Sequence, residues 1–268
     1  MGKITQHPIL NTLINLISQR LITALALFFG TGLLIVFTNI QSSNGFTIIP
    51  EYVYSDLIIS LPTSPKPHPL PPTLAQWHNT NSGDYFSQVT TTQVGYLVWS
   101  QFPIRVYVEL PKAVSEKQAQ VWVNAVLQGV QEWSNYLPLT IVEQPEVADI
   151  TIARKAPPLQ ISPGSNIPRA RSAQTTYELY SSNNVLSHRF TILLSPSQTG
   201  EYIQAAARHE FGHALGIWGH SPLQTDALYF SQVRNPSPIS ARDVNTLKRV
   251  YEQPTSLGWS LVDNSKIN

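Results

Sequence analysis

Apolar residues fall along this chain in three patterns. The first is a continuous run, "LITALALFFGTGLLIVF" from Leu21 to Phe37, with no charged residue inside it. A segment apolar on all sides is not a surface helix; it predicts a membrane anchor or the core of a signal peptide. The second pattern is alternation. "IRVYVEL" sets Ile104, Val106, Val108 and Leu110 against Arg105, Tyr107 and Glu109, the period-two signature of a strand. "LTIVEQ" (139–144), "DITIAR" (149–154), "QTTYELY" (174–180) and "RFTILLS" (189–195) predict further strands. The third pattern has helical spacing. Ser115 with Gln118 forms a capping-box pattern, and Ala119, Trp122, Val126 and Trp133 then make an apolar stripe. "EYIQAAARHEFGHALG" is rich in helix formers, and a last helix opens at Ser240, with Asp243 completing its cap and Val244, Leu247 and Tyr251 on one face. Strands and helices interleaved in this way predict an α+β domain, a sheet covered by a few helices.

The flanks refine the organisation. Lys3 and Arg20 precede the first apolar run, and no charge follows it until Glu51. Positive charge on the N-terminal side alone predicts an inside N-terminus and an exported remainder, secreted or held in the cell envelope as a single-pass protein. Residues 1–40 are therefore expected to be a signal peptide or a signal-anchor helix. "LPTSPKPHPLPP" (61–72) has too little apolar mass to pack, so residues 41–87 are expected to be a Pro-rich spacer or pro-segment. The folded domain is expected over 88–255, with a tail at 256–268. No internal repeat is visible.

Composition narrows the chemistry. The 268 residues carry 17 Lys+Arg against 16 Asp+Glu, which gives no general pull toward nucleic acid, and no nucleic-acid partner is expected. There is no cysteine, so disulfides and thiolate metal ligands are excluded. A transition-metal site must draw on histidine and carboxylate, a donor set that suits zinc.

Such a set stands in "HEFGHALGIWGHS", His209 to Ser221. Residues four apart share a helix face, so His209 and His213 make a two-imidazole clamp. Glu210, at the edge of that face, can reach a water without being a ligand. Gly216 can end the helix in a backbone conformation that other residues avoid, and the chain then returns with His220 as a third ligand. Three protein ligands leave a fourth position for water, the arrangement of a catalytic rather than a structural zinc ion.

These thirteen residues resemble the H-E-x-x-H-x-x-G-x-x-H signature of the metzincin metallopeptidases, and Ser221 after the third histidine resembles the matrixin branch. "ADITIAR" (148–154) and "SARDVNTLKRVY" (240–251) are similar to a central strand and the closing helix of matrixin domains. The resemblance covers about residues 88–251. It implies a zincin-like fold, a twisted and mostly parallel sheet with one antiparallel edge strand above a cleft. It also implies one catalytic Zn2+ held by His209, His213 and His220, with Glu210 as general base in the hydrolysis of a protein or peptide. Residues 174–180 would be the edge strand that pairs with substrate, and substrate-binding roles are expected at position 178 (Glu178) and at Tyr229. A monomer is expected.

Two departures shape the remaining expectations. Where matrixins have a methionine in the turn below the metal, this chain has Leu228; its only methionine is Met1. Leu is close to Met in volume, so the packing is expected to survive. No cysteine is present to block the metal, which leaves His78 or Asp84 as the groups by which residues 41–87 could mask the cleft. His188, Trp218 and Arg208 are read respectively as a surface residue, a packing residue, and a surface or ligand-supporting charge. "FSQVRNPSPIS" (230–240) is expected to wall the substrate pocket. The competing readings are a catalytically weak or inactive zinc-binding envelope protein on the same fold, and a hydrolase of cell-wall peptides.

Overall fold

The computed structural model describes residues 64–78, 81–161 and 167–261. The expected signal or anchor segment at 1–40, and the 41–63 part of the spacer, lie outside these residues. Among those described, no helix is long and apolar enough to cross a membrane.

A short helix, α1 (Pro72–Ala75), precedes strand β1 (Ile104–Val108) and the long helix α2 (Glu116–Gln131). Then come β2 (Leu139–Ile141), β3 (Ile150–Arg154) and a two-stranded hairpin of β4 (Gln160–Ile161) and β5 (Pro168–Arg169). Strands β6 (Ala173–Ser182) and β7 (Val185–Leu194) lead to α3 (Glu201–Ala214) and α4 (Ala241–Tyr251). The five main strands lie in the order β2-β1-β3-β7-β6. Pairings β1–β2, β1–β3 and β3–β7 are parallel, and β6 runs antiparallel to β7 at the edge. The class is therefore α+β, with a mostly parallel mixed sheet and an antiparallel edge strand at the expected place.

Local chemistry explains the element ends. Ser115 and Gln118 exchange both bonds of a capping box at the start of α2, and Ser240 and Asp243 do the same for α4. The turn between β6 and β7 is Asn183-Asn184, both at positive φ (50° and 61°), a backbone whose twist suits a two-residue hairpin. The stripe packs inward as its spacing predicted, with Ala119, Trp122 and Val126 on α2 and Trp133 in the turn of 3-10 helix that follows all buried. Val244, Leu247 and Tyr251 of α4 are likewise buried.

Packing starts upstream of the boundary expected at 88. Leu74 and Tyr85 are buried in the core, and Lys66 exchanges backbone bonds with Thr255. Tyr85 Oη donates to Asp243 Oδ1 at 2.5 Å, and Arg242 donates to the carbonyls of Ser82 and Asp84. The C-terminal segment packs too. Leu257 is buried, and residues 258–261 bond along the Asn184–Leu186 end of the hairpin. His188 is a correction: it lies in the core, 4 % exposed, stacked on Trp99 at 4.0 Å between ring centroids. Strand β7 begins four residues earlier than "RFTILLS" suggested, and its alternation buries Leu186, His188, Phe190, Ile192 and Leu194 together.

Candidate metal centre

Helix α3 supplies the first two imidazoles, and the way it ends supplies the third. The Ile217 amide donates to the Gly212 carbonyl and the Gly216 amide to that of His213, a Schellman ending with glycine just past the cap. Gly216 sits at φ 124°, and a Cβ there would lie 2.5 Å from the Leu97 carbonyl oxygen. Conformation and space both demand glycine. Gly219 presses still closer, since a Cβ on it would come within 2.1 Å of the Gln88 carbonyl oxygen. The loop thus folds back against residues 88–90 and brings His220 over the helix.

The outcome is a converging donor set. His213 Nε2 lies 3.1 Å from His209 Nε2 and 3.2 Å from His220 Nε2. Behind the rings, His209 Nδ1 faces the Ala227 carbonyl at 2.9 Å and His213 Nδ1 faces that of Ile217 at 2.7 Å. A carbonyl can only accept, so both Nδ1 atoms carry the proton and both Nε2 atoms present lone pairs. Burial, with the neighbouring His220 and His209, holds His213 well below the usual histidine range, and burial with His209 and Arg171 brings His220 down to about 4. Three Nε2 atoms converging at about 3 Å are spaced to face one cation held between them. The three histidines are close enough to bind one metal ion, and no other cluster of this kind occurs among the described residues.

The rings are braced from below. The Ala227 amide donates to Asp243 Oδ2 while its carbonyl takes the His209 proton, so α4 fixes the peptide that aims His209. Asp226 accepts from Ser221 Oγ, Ser240 Oγ and Arg242 Nε, and the Ser221 amide donates to the Leu228 carbonyl. Leu228 is fully buried, with its methyl carbons 2.7 and 3.2 Å from where a Cβ on Gly212 would sit. Leucine therefore fills the floor beneath α3 directly against the helix backbone.

Glu210 is buried beside this cluster. Its Oε2 accepts from Thr175 Oγ1 at 2.6 Å, across from the edge strand β6. Burial raises its pKa, while the neighbouring His209, the Thr175 bond and Arg171 oppose the rise. One carboxylate oxygen is thus oriented by the protein, next to a potential cation and short of solvent.

The other expected residues divide. Trp218 packs as expected, edge-on to the rings of Tyr177 and His213. Arg208 is buried, paired with Glu132 and donating to the Ser237 carbonyl, so it supports the 230–240 segment. Glu178 lies on the outer face of β6, paired with Arg189 and well exposed; strand parity turns it away from the face that carries Thr175. Tyr229 is half-buried, with its ring against Phe230 and its backbone bridged to Ser221. Asp84 is committed to Arg249, His78 is exposed, and neither joins the histidine cluster. Thr175, Asp226 and Asp243 were not anticipated as parts of the site. Thr175 was the accessible one, since alternation along 174–180 puts it on the same face as Tyr177.

The fold and site together define an α+β domain with three histidines close enough to hold a metal ion, beside a buried glutamate. No protein-family model matches the chain, and no curated protein does.

Proposed function

We propose that this protein is a matrixin-like member of the metzincins, an exported zinc-dependent endopeptidase. The observation that carries the reading is the convergence of three Nε2 atoms beside Glu210, on a helix that ends in glycine to deliver the third histidine. All-imidazole donation at such a site suits zinc, and His209, His213 and His220 would hold it. Bound there, zinc supplies Lewis-acid chemistry at the scissile carbonyl.

The remaining work falls to the chain. Thr175 fixes Glu210 by one carboxylate oxygen, which leaves Oε1 to accept a proton from the attacking water. Burial makes Glu210 a stronger base than a solvated carboxylate, so the proton is held and then returned to the leaving amine. Strand β6 is the outer strand of the five, the place where an extended peptide would add by main-chain bonds. The apolar run at 21–37 belongs to the same proposal, as the signal or anchor that takes the domain out of the cytoplasm.

The test measures bound zinc and cleavage of casein or a peptide library by wild type and Glu210→Ala. Zinc near one equivalent in both, with cleavage lost in the variant, is expected. Zinc bound with no cleavage by wild type would sink the proposal in favour of a binding module, the reading to which Leu228 in place of methionine lends its support.

A further inference from the structure

The stretch ahead of the expected domain boundary is bonded into the support of the metal centre. Tyr85 is 2 % exposed, and its hydroxyl is buried with the ring, where it donates to Asp243 Oδ1 at 2.5 Å. The Tyr85 amide donates to Thr246 Oγ1 at 3.0 Å, so α4 holds the residue at both ends. Asp243 is wholly enclosed, and a carboxylate is kept in such a place only by donors around it. Its Oδ2 takes the amides of Ala227 at 2.9 Å and Ser240 at 2.7 Å. At Oδ1 the Leu228 amide stands off at 3.4 Å, which leaves the Tyr85 hydroxyl as the close donor there.

From that oxygen the path to a metal ligand is one peptide long. The 227–228 peptide turns its N–H toward Asp243 Oδ1 and its carbonyl to His209 Nδ1 at 2.9 Å. Tyr85 and the peptide that aims His209 thus share one carboxylate oxygen. Arg242 ties the same stretch to the other side of the centre. It donates to the carbonyls of Ser82 and Asp84 and to Asp226, which accepts from Ser221 Oγ beside His220. A ring needed only to fill the core could be phenylalanine; a hydroxyl buried against a carboxylate is explained by what that carboxylate holds.

We infer that Tyr85 is a positioning residue for the metal centre, acting through Asp243 and the 227–228 peptide on His209. The segment ahead of residue 88 therefore supports the centre rather than masking it. The inference rests on the metal-binding part of the reading above and not on peptidase activity.

Zinc affinity of the full chain is measured by competition with a chromophoric chelator. The visible absorption bands of the cobalt(II)-loaded chain report the ligand field at the three histidines. Tyr85→Phe keeps the ring and removes the hydroxyl. It is expected to bind zinc about tenfold more weakly and to shift the cobalt bands at temperatures well below its unfolding. Trp77→Phe is the control, because it removes a bond from the same stretch to α4, Trp77 Nε1 to Asn245 Oδ1 at 2.9 Å, without touching Asp243. It is expected to unfold at lower urea while its zinc affinity and cobalt bands stay those of wild type. Thr246→Val frees the Tyr85 amide and is expected to give a smaller change of the same sign, which carries the test should Tyr85→Phe not fold. Wild-type affinity and bands in the folded variants at 85 and 246 would overturn the inference. So would tighter zinc binding by Tyr85→Phe, the mark of a masking segment, or an equal loss in Trp77→Phe, the mark of general destabilisation. A wild type that takes up neither metal would overturn it together with the zinc reading. Metal held by wild type and loosened in Tyr85→Phe, with no peptide cleaved by either, would remove the peptidase reading and leave this inference standing.

Discussion

Replacing His188 with phenylalanine should make the protein more stable, and increasingly so toward acid. His188 is enclosed by Trp99 and Phe190, and its Nε2 has no hydrogen-bond partner among the described residues. Burial alone takes its pKa from 6.5 down to about 3. The sign follows from which state binds the proton. Above pH 6.5 the ring is neutral in both states, and its titration contributes nothing. Below that, the unfolded chain takes up a proton that the folded core refuses, so stability falls as pH drops until about pH 3. The slope is about 1.4 kcal/mol per pH unit, or about 2–3 kcal/mol between pH 6.5 and 4.5. Phenylalanine keeps the ring stacking and removes the orphaned nitrogen, which is worth a further ~1–3 kcal/mol at neutral pH. Urea denaturation of metal-stripped wild type and His188→Phe, from pH 7.5 to 4.5, measures both terms. His188→Leu serves as a second variant in case the larger ring overpacks. His213 and His220 also resist protonation, but they are common to both proteins and cancel in the difference. Parallel stability curves for wild type and both variants would refute the reasoning, because they would mean that His188 ionises as freely in the folded state as in the unfolded chain.

The floor and walls of the centre give further expectations. Leu228→Met should cost less than about 1.5 kcal/mol, because volume is nearly kept, whereas Leu228→Ala should cost about 2–5 kcal/mol in urea melts. Gly212→Ala drives a methyl toward Leu228 and Trp133 and should cost about 1–3 kcal/mol, with part regained in the double variant Gly212→Ala/Leu228→Ala. Gly219→Ala, by pushing the loop off Gln88, should lower zinc affinity in competition with a chelator while leaving the helix content seen by circular dichroism intact. Thr175→Val removes a bond that lowers the Glu210 pKa, so the acid limb of the kcat/KM profile should move to higher pH; an unmoved limb would separate Thr175 from the base.

What could be read from the sequence was what the chain encodes locally. The caps at Ser115 and Ser240, the stripe on α2 and the glycine-ended helix depend on residues a few positions apart, and each formed as its pattern required. The metal cluster was legible for the same reason, since His209, His213 and His220 all lie within one helix and the loop that follows it. Their aim was not legible. His209 is set by the Ala227 carbonyl, Ala227 by Asp243, and Asp243 also accepts a hydrogen bond from the hydroxyl of Tyr85, 158 positions away in the chain. No period or motif links those residues, so the 66–86 stretch, full of proline and lacking an apolar stripe, looked like a spacer. His188 was misplaced by register rather than by chemistry. Counting from Arg189 leaves it outside the strand, while counting from Val185 puts it inward with Leu186 and Phe190. The same parity exposes Thr175 as a neighbour of the centre and turns Glu178 outward. In this chain, then, the donor atoms are written in one short segment. The groups that orient them and their neighbouring glutamate are distributed over an edge strand and a distant helix, where only register and tertiary contact reveal them.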